Sequence, residues 1–147
     1  MFTNILVALD GTEISQLALI QAVDQARIWN AKIHVLFIAE TTQFDSLSLD
    51  QNFPMDNKLE MYRVLEKEGE AVLERAKKYG DDKGITLITH MKYGDAGREI
   101  IALAEQEKCD LIVIGSHGKS SMDRLLIGSV SSFVVTHNKA ATMVVRR

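Results

Sequence analysis

Asp110-Leu-Ile-Val-Ile-Gly-Ser-His-Gly-Lys-Ser-Ser-Met-Asp-Arg-Leu-Leu-Ile-Gly-Ser-Val-Ser-Ser-Phe-Val-Val135 is the stretch that decides the fold. Its residues 111–114 form an unbroken apolar run, which is typical of a strand buried on both faces of a parallel sheet. Apolar residues then recur at helical spacing from Val130 onward. The stretch therefore predicts a strand, a loop and a helix in succession.

Glycines and hydroxyl residues fill the loop between this strand and this helix. Two residues separate Gly115 from Gly118, nine separate Gly118 from Gly128, and Ser129 follows directly. Glycine permits close approach of the backbone, and we expect Ser129 to cap the helix. Free amides at a helix start attract anions, and the hydroxyl groups of Ser129 and Ser131 add donors. The loop is predicted to bind phosphate.

Two other phosphate-binding loops do not fit the sequence. A Walker A loop would need a glycine five positions before Gly118, where the chain has Val113. A dinucleotide fingerprint after the first strand would need three glycines, and Asp10-Gly11-Thr12-Glu13 has one.

The rest of the chain alternates predicted strands with predicted helices. The strands are predicted over residues 5–9, 32–38, 85–91, 111–114 and 141–145, and the helices run to about residue 30, over 58–79, and from a cap at Asp95. Residues 41–57 are predicted to be a long polar connection, either a functional lid or a mobile loop, and residues 80–84 a turn. This alternation predicts one doubly wound α/β domain with a parallel sheet covered by helices on both faces. Ligands of such sheets lie beyond the carboxyl ends of the strands.

Composition limits the class of protein. At 147 residues, with 46% hydrophobic and 25% charged residues, the chain is expected to form a single domain over residues 1–147. A net charge of -3 gives no basic surface for nucleic acid or an anionic membrane, so neither is expected as a partner. One cysteine, no apolar stretch long enough to span a membrane and no apparent secretion signal predict a cytoplasmic protein.

The motif G-x2-G-x9-G-[S/T], with the first strand ending in Ala8-Leu9-Asp10, resembles the nucleotide-binding members of the universal stress protein family. The resemblance runs from residue 5 to residue 145. It implies a five-stranded sheet in the order 3-2-1-4-5, which brings Asp10 beside Gly115. It also implies an ATP site, with adenine near Ala8, Asp10 and Ile38, ribose near Gly115, Ile114 in the same pocket, and phosphates on Gly118, Gly128, Ser129, Val130 and Ser131.

Several residues carry more than one interpretation. His117, between two loop glycines, could contact phosphate or lie exposed, and Asp10 could bind ligand or cap the first helix. Lys119 is expected to face solvent, with phosphate contact as the alternative. We expect His34, His90 and His137 to be surface or strand-end residues, and Cys109 to be a small buried apolar residue.

The resemblance implies an ATP-binding regulatory protein of the stress response, in which Mg²⁺ neutralises the phosphates. It also implies a homodimer that pairs through the last strand, Ala141–Val145. Two alternatives stay open. One is a slow ATPase or phosphotransferase using Asp10, His117 or Lys119, although no partner for these groups is evident and catalysis is not favoured. The other is a dimeric interaction module that does not need a nucleotide.

Overall fold

The computed structural model describes residues 1–42, 54–117 and 127–147. Its strands are β1 (Asn4–Leu9), β2 (Lys32–Glu40), β3 (Leu87–Gly94), β4 (Leu111–Gly115) and β5 (Ala141–Val145). The helices between them are α1 (Glu13–Trp29), α2 (Met55–Asp82), α3 (Ala96–Gln106) and α4 (Ser129–His137). Gly118, Lys119 and most of the predicted polar connection lie outside the described residues.

All strand pairs are parallel, and the order is β3-β2-β1-β4-β5, which confirms the predicted doubly wound fold. Strand β1 lies at the centre, paired with β2 on one side and with β4 on the other. The chain reverses its winding direction between β1 and β4, so a crevice opens at the carboxyl ends of these two strands.

Two apolar layers fill the space between the sheet and its helices. Because successive side chains of a strand point to opposite faces, β1 sends Ile5 and Val7 to one layer and Leu6 to the other. The first layer packs on α1 and α2, and the second on α3 and α4. Ala18 and Ala22 of α1 are fully buried, and these small residues let the helix lie close to the sheet.

Helix α2 is longer than the sequence predicted, and this changes the interpretation of two neighbouring segments. It begins at Met55 after Pro54, three residues before the predicted start, and it continues to Asp82. Gly80, predicted to be in a turn, lies within the helix. A β-carbon there would come within 2.8 Å of the Ile85 carbonyl oxygen, so glycine lets the helix end pack against the chain that enters β3. The turn lies at Gly84, which has a φ of +74°.

Two strand boundaries also differ from the prediction. Strand β3 begins at Leu87 and reaches Gly94, whereas residues 85–91 were predicted. Strand β2 continues to Glu40, two residues beyond its predicted end, because Ala39 and Glu40 still pair with β3. The extension carries Glu40 to the same edge of the sheet as the end of β1.

The expectation that His34 lies at the surface or at a strand end is wrong. His34 is 4% exposed as the third residue of β2, and its Nδ1 lies 3.0 Å from Nε2 of His90 on β3. Burial lowers the pKa of His34, and the Glu107 carboxylate opposes this only in part. Burial, followed by the proximity of His34, lowers the pKa of His90. The two imidazoles therefore form a largely neutral, hydrogen-bonded pair.

Cys109 is buried just before β4, as expected. Burial, followed by the nearby Glu107 and Asp110, raises the pKa of its thiol to about 11. It is therefore a packing residue with almost no thiolate at neutral pH. Among residues 1–42, 54–117 and 127–147, no helix is both long and apolar enough to cross a membrane.

Candidate functional site

A cavity of about 350 Å³ opens where the carboxyl ends of β1 and β4 meet. Its volume lies within the usual range for small-molecule sites. Every predicted site residue that the structure describes lines it: Ala8, Asp10, Ile38, Ile114, Gly115, His117, Gly128, Ser129, Val130 and Ser131. Gly118 is the one predicted site residue outside the described part of the chain. The topology thus gathers residues from four separate segments, and their contact with a ligand stays a prediction.

The middle of the cavity is apolar. Four lining residues belong to the apolar layer between the sheet and helices α3 and α4: Ala8, Ile38, Ile114 and Val130. Ile100 of α3 adds to this surface, and Phe37 and Leu65 contribute from the opposite layer. A flat aromatic ring can bind between such walls, because its faces are apolar, are removed from water on binding and have no hydrogen-bonding groups that need a partner.

Asp10 does not cap α1. The cap is Thr12, whose hydroxyl oxygen accepts from the Ser15 amide at 3.2 Å. Asp10 holds this cap instead, because its Oδ1 accepts from the Thr12 amide at 3.0 Å and from the Thr12 hydroxyl at 2.5 Å. The carboxyl group of Asp10 also lines the cavity. The alternative in which Asp10 caps the helix is therefore wrong, and a ligand contact is compatible with its position.

The start of α4 forms the opposite end of the cavity. Gly128 is the cap residue and Ser129 is the first residue of the helix, so the expectation that Ser129 caps α4 is wrong. The first three amides of a helix have no acceptor within it, and here they belong to Ser129, Val130 and Ser131, which all line the cavity. The amino end of a helix also carries partial positive charge. This end of the cavity can hold an anion.

Gly128 is required by a close approach of two backbones. Its amide donates to the Ser116 carbonyl at 2.6 Å. A β-carbon on Gly128 would lie 3.1 Å from Cα of His117 and 3.3 Å from the Ser116 oxygen. Its φ of -67° is ordinary, so space alone favours glycine here. The contact brings the start of α4 against the end of β4.

Ser131 ties the same two elements together. Its side chain is 2% exposed, and its hydroxyl donates to the Gly115 carbonyl at 2.6 Å. A hydroxyl has one proton, so Ser131 could donate to a phosphate only after releasing Gly115. In this structure the Ser131 hydroxyl positions α4, which leaves the backbone amide of Ser131 as its possible donor to an anion.

His117 stands at the anion end, just after β4. Its Nδ1 lies 3.1 Å from the hydroxyl oxygen of Ser116, which is buried. His117 itself is half-buried and lines the cavity. The interpretation in which it lies exposed in the loop is therefore wrong, and contact of its side chain with phosphate stays a prediction.

Two acidic residues of the cavity lining were not predicted from the sequence. Glu40 ends β2 and Glu68 belongs to α2, and both line the cavity. Partial desolvation raises the pKa of Glu40, the nearby Asp95 raises it further and Asp10 adds to the effect, although the Ala96 backbone opposes it. A signal existed in the sequence, because Glu40 follows an apolar strand as Asp10 follows the first one.

Metal ligation by the protein alone is not supported by the part of the chain that the structure describes. There, no three His, Cys, Asp or Glu side chains come together in an arrangement that could hold a metal ion. A divalent ion at this cavity would therefore take most of its oxygen ligands from a bound phosphate and from water, as Mg²⁺ commonly does.

Comparison with known proteins places the whole chain in one group. The model of the universal stress protein family matches residues 1–146. Universal stress protein YxiE of Bacillus subtilis is 31% identical over 99% of this chain and 100% of its own length. Universal stress protein MJ0531 of Methanocaldococcus jannaschii is 28% identical over 100% of this chain and 84% of its own length. The solved structure of MJ0577 from the same organism superposes with a TM-score of 0.85, at 26% identity, covering 100% of this chain and 97% of that one.

Two further solved structures have the same fold and contain nucleotides. A universal stress protein in complex with cAMP has a TM-score of 0.69 at 23% identity, with 98% of this chain and 96% of that chain covered. A universal stress protein family protein of Arabidopsis thaliana with AMP bound has a TM-score of 0.70 at 19% identity, with 99% and 92% covered.

Proposed function

This chain belongs to the universal stress protein family, and we propose that it is a regulatory protein that binds ATP with Mg²⁺ in the cavity between β1 and β4. The observation that carries the proposal is the combination of a helix start and apolar walls in one cavity. The first amides of α4, which have no acceptor within the helix, lie on one side, and apolar residues line the middle. A nucleotide has matching groups, because its phosphate tail can accept from the amides and its flat base can pack between the apolar walls.

The placement of the ligand follows from this arrangement. The phosphates lie against Gly128 and the first amides of α4, where the helix dipole favours negative charge. The ribose lies by Gly115, and the base lies among Ala8, Asp10 and Ile38. The carboxylates of Glu40 and Glu68 in the lining would repel a phosphate, which favours the side formed by α4. Mg²⁺ reduces the remaining repulsion between the phosphates and this acidic cavity.

The relatives support an adenine nucleotide as the ligand class. The proteins solved with cAMP and AMP share the fold of this chain, so a protein of this fold can bind such ligands. Their identity to this chain is 23% and 19%, so the residues of the cavity carry the argument for this protein.

The proposal is tested by calorimetric titration with ATP, ADP and AMP in the presence of Mg²⁺, using Ser129→Asp as the variant. A carboxylate in the first turn of a helix stabilises the helix, so α4 stays folded. The same charge opposes a phosphate about 4 Å away by several kcal/mol at the dielectric of a protein surface, so ATP binding falls by at least about tenfold.

The matched control is Ser132→Asp. Ser132 lies in the same turn of α4, is exposed and does not line the cavity. Its variant loses much less affinity than Ser129→Asp, because the new carboxylate stays exposed to water outside the cavity lining. Equal loss in both variants, or no binding by the wild type, would contradict the proposal. Chromatography of the titrated samples tests the alternative function, since steady formation of ADP would indicate an ATPase.

We also propose that the protein is a homodimer paired through β5. Strand β5 is the last strand at one edge of the sheet, and its residues 142–145 are only half-buried. The amide of Ala141 donates to β4, and the alternation of a strand turns the backbone groups of Thr142 and Val144 outward. Val144→Pro removes an outward amide without breaking a bond to β4. Sedimentation velocity should give a dimer for the wild type and a monomer for the variant, and a dimer in both would exclude this interface.

A further inference from the structure

We propose that Arg147 is a further phosphate-binding residue, which contacts the outer phosphates of ATP and not the single phosphate of AMP. This inference rests on the proposed function and deepens it, because it names a contact for the end of the phosphate tail. Arg147 follows β5, and its Nη2 lies 3.1 Å from Oε2 of Glu13, the first residue of α1.

The first support is the order of the strands. The proposed base position is at the ends of β1 and β2, and the proposed ribose position is at Gly115, which ends β4. The phosphates follow at the start of α4. In a sheet of order β3-β2-β1-β4-β5, a ligand laid out in this way points toward β5. A longer phosphate tail therefore extends toward the carboxyl end of β5, which Arg147 follows.

The second support is the register between β4 and β5. Gly115 pairs with Val145, and the amide of Ser116 donates to the Val145 carbonyl at 2.8 Å. Arg147 is two residues beyond Val145, as His117 is two residues beyond Gly115. The chain that carries Arg147 therefore leaves the sheet at the same level as the chain that carries His117, which lines the cavity.

The third support is the side on which Arg147 is held. Glu13 precedes Ile14, which packs on Gly115, since a β-carbon on Gly115 would lie 3.1 Å from Cγ2 of Ile14. The same turn of α1 contributes Ser15 to the cavity lining. The ion pair with Glu13 therefore keeps the guanidinium near the proposed ribose position, while Arg147 itself stays outside the lining. A single phosphate at α4 need not reach it, whereas outer phosphates leave the cavity on this side.

The chemistry of the ion pair allows an exchange of partners. The side chains of Arg147 and Glu13 are 51% and 66% exposed, and an ion pair in contact with water contributes little to stability. A phosphate presents several charged oxygens, and the planar donors of a guanidinium can bond to two of them at once. An outer phosphate can therefore replace Glu13 as the partner of Arg147. Because the Glu13 carboxylate competes for the same donors, it weakens the binding of ATP.

The experiment measures the affinities of ATP and AMP by calorimetry in the presence of Mg²⁺. In Arg147→Gln we expect the affinity for ATP to fall by about tenfold, since hydrogen bonds between charged groups are the stronger class, and that for AMP to stay within about twofold. Glu13→Gln removes the competing carboxylate, so the affinity for ATP rises by up to about fivefold.

The matched control is Lys139→Gln. Lys139 is exposed and precedes β5, so the variant removes the same charge from the opposite end of that strand. Both affinities stay within about twofold of the wild type, because salt screens a charge at this distance from the site.

The outcomes separate this inference from the proposed function. Unchanged affinity for ATP in Arg147→Gln, or equal losses for ATP and AMP, would overturn the role of Arg147 and leave the nucleotide site standing. An equal loss of ATP affinity in Lys139→Gln would do the same, because the effect would then come from net charge. Weaker ATP binding by Glu13→Gln would overturn the exchange of partners. Binding of neither nucleotide by the folded wild type would overturn both the inference and the proposed function.

Discussion

Replacing Ser131 by alanine tests the tie between α4 and the end of β4. The Ser131 hydroxyl is the donor that the structure gives to the buried Gly115 carbonyl, at 2.6 Å. Leaving a buried carbonyl without this donor costs about 1–3 kcal/mol. Alanine recovers about 0.5 kcal/mol through its higher helix propensity, so we expect a net loss of roughly 0.5–2.5 kcal/mol. For a domain of this size that lowers the melting temperature by about 1–10 °C.

Urea unfolding of the nucleotide-free protein measures this loss. With a slope of about 2 kcal/mol per M, the midpoint of Ser131→Ala shifts down by about 0.3–1.3 M at unchanged slope. The control is Ser132→Ala, because Ser132 is exposed on the same helix, and its midpoint stays at or slightly above that of the wild type. If the free energies of unfolding of the two variants agree within about 0.5 kcal/mol, Ser131 does not bond to Gly115 in solution, and the reasoning is refuted.

Three further predictions concern groups outside the cavity. Because the folded state holds His34 and His90 with lowered pKa values, it resists protonation, so stability is full above their ordinary pKa of 6.5 and falls below it. Urea unfolding from pH 7.5 to 5 should show that slope, and the double variant His34→Leu/His90→Leu should flatten it. Asp110 is the reverse case: burial raises its pKa, but hydrogen bonds from Thr3 and Asn4 outweigh this and lower it, so its contribution is present above its ordinary pKa of 3.8 and is lost below it. The stability difference between the wild type and Asp110→Asn should therefore shrink from pH 5 to pH 2. Cys109, with its raised pKa and buried side chain, should react with a thiol reagent at pH 8 only at the rate of unfolding, and fast labelling of the native protein would contradict this.

The sequence predicted those features that depend on local pattern. Apolar runs and their alternation with helical segments gave the class of fold, and the capping role of Asp95 was recognisable because its side chain bonds to a residue three positions away. The glycine spacing likewise predicted a phosphate-binding loop, and the described residues of that segment line the cavity. In each case the deciding contacts lie close together along the chain.

Features that depend on register or on distant packing were not accessible from pattern. His34 and His90 are 56 residues apart and meet because β2 and β3 pair in one register. The sequence predicted a turn at Gly80. A glycine is needed inside the helix because the backbone of Ile85, which leads into β3, packs against it. Glu40 was missed for a similar reason. It lines the cavity together with Ala96 of α3, a helix that begins more than fifty residues later in the chain.

The central position of β1 has a consequence for the newly made chain. Its neighbour β4 begins roughly 100 residues after β1 ends, and at about 5–20 residues per second a ribosome needs roughly 5–20 s to make the intervening segment. During that interval β1 can pair with β2, and β2 with β3, but the other edge of β1 has no partner. The cavity between β1 and β4 therefore cannot form until β4 and α4 have left the ribosome, and nucleotide captured there would mark a chain that already contains both elements.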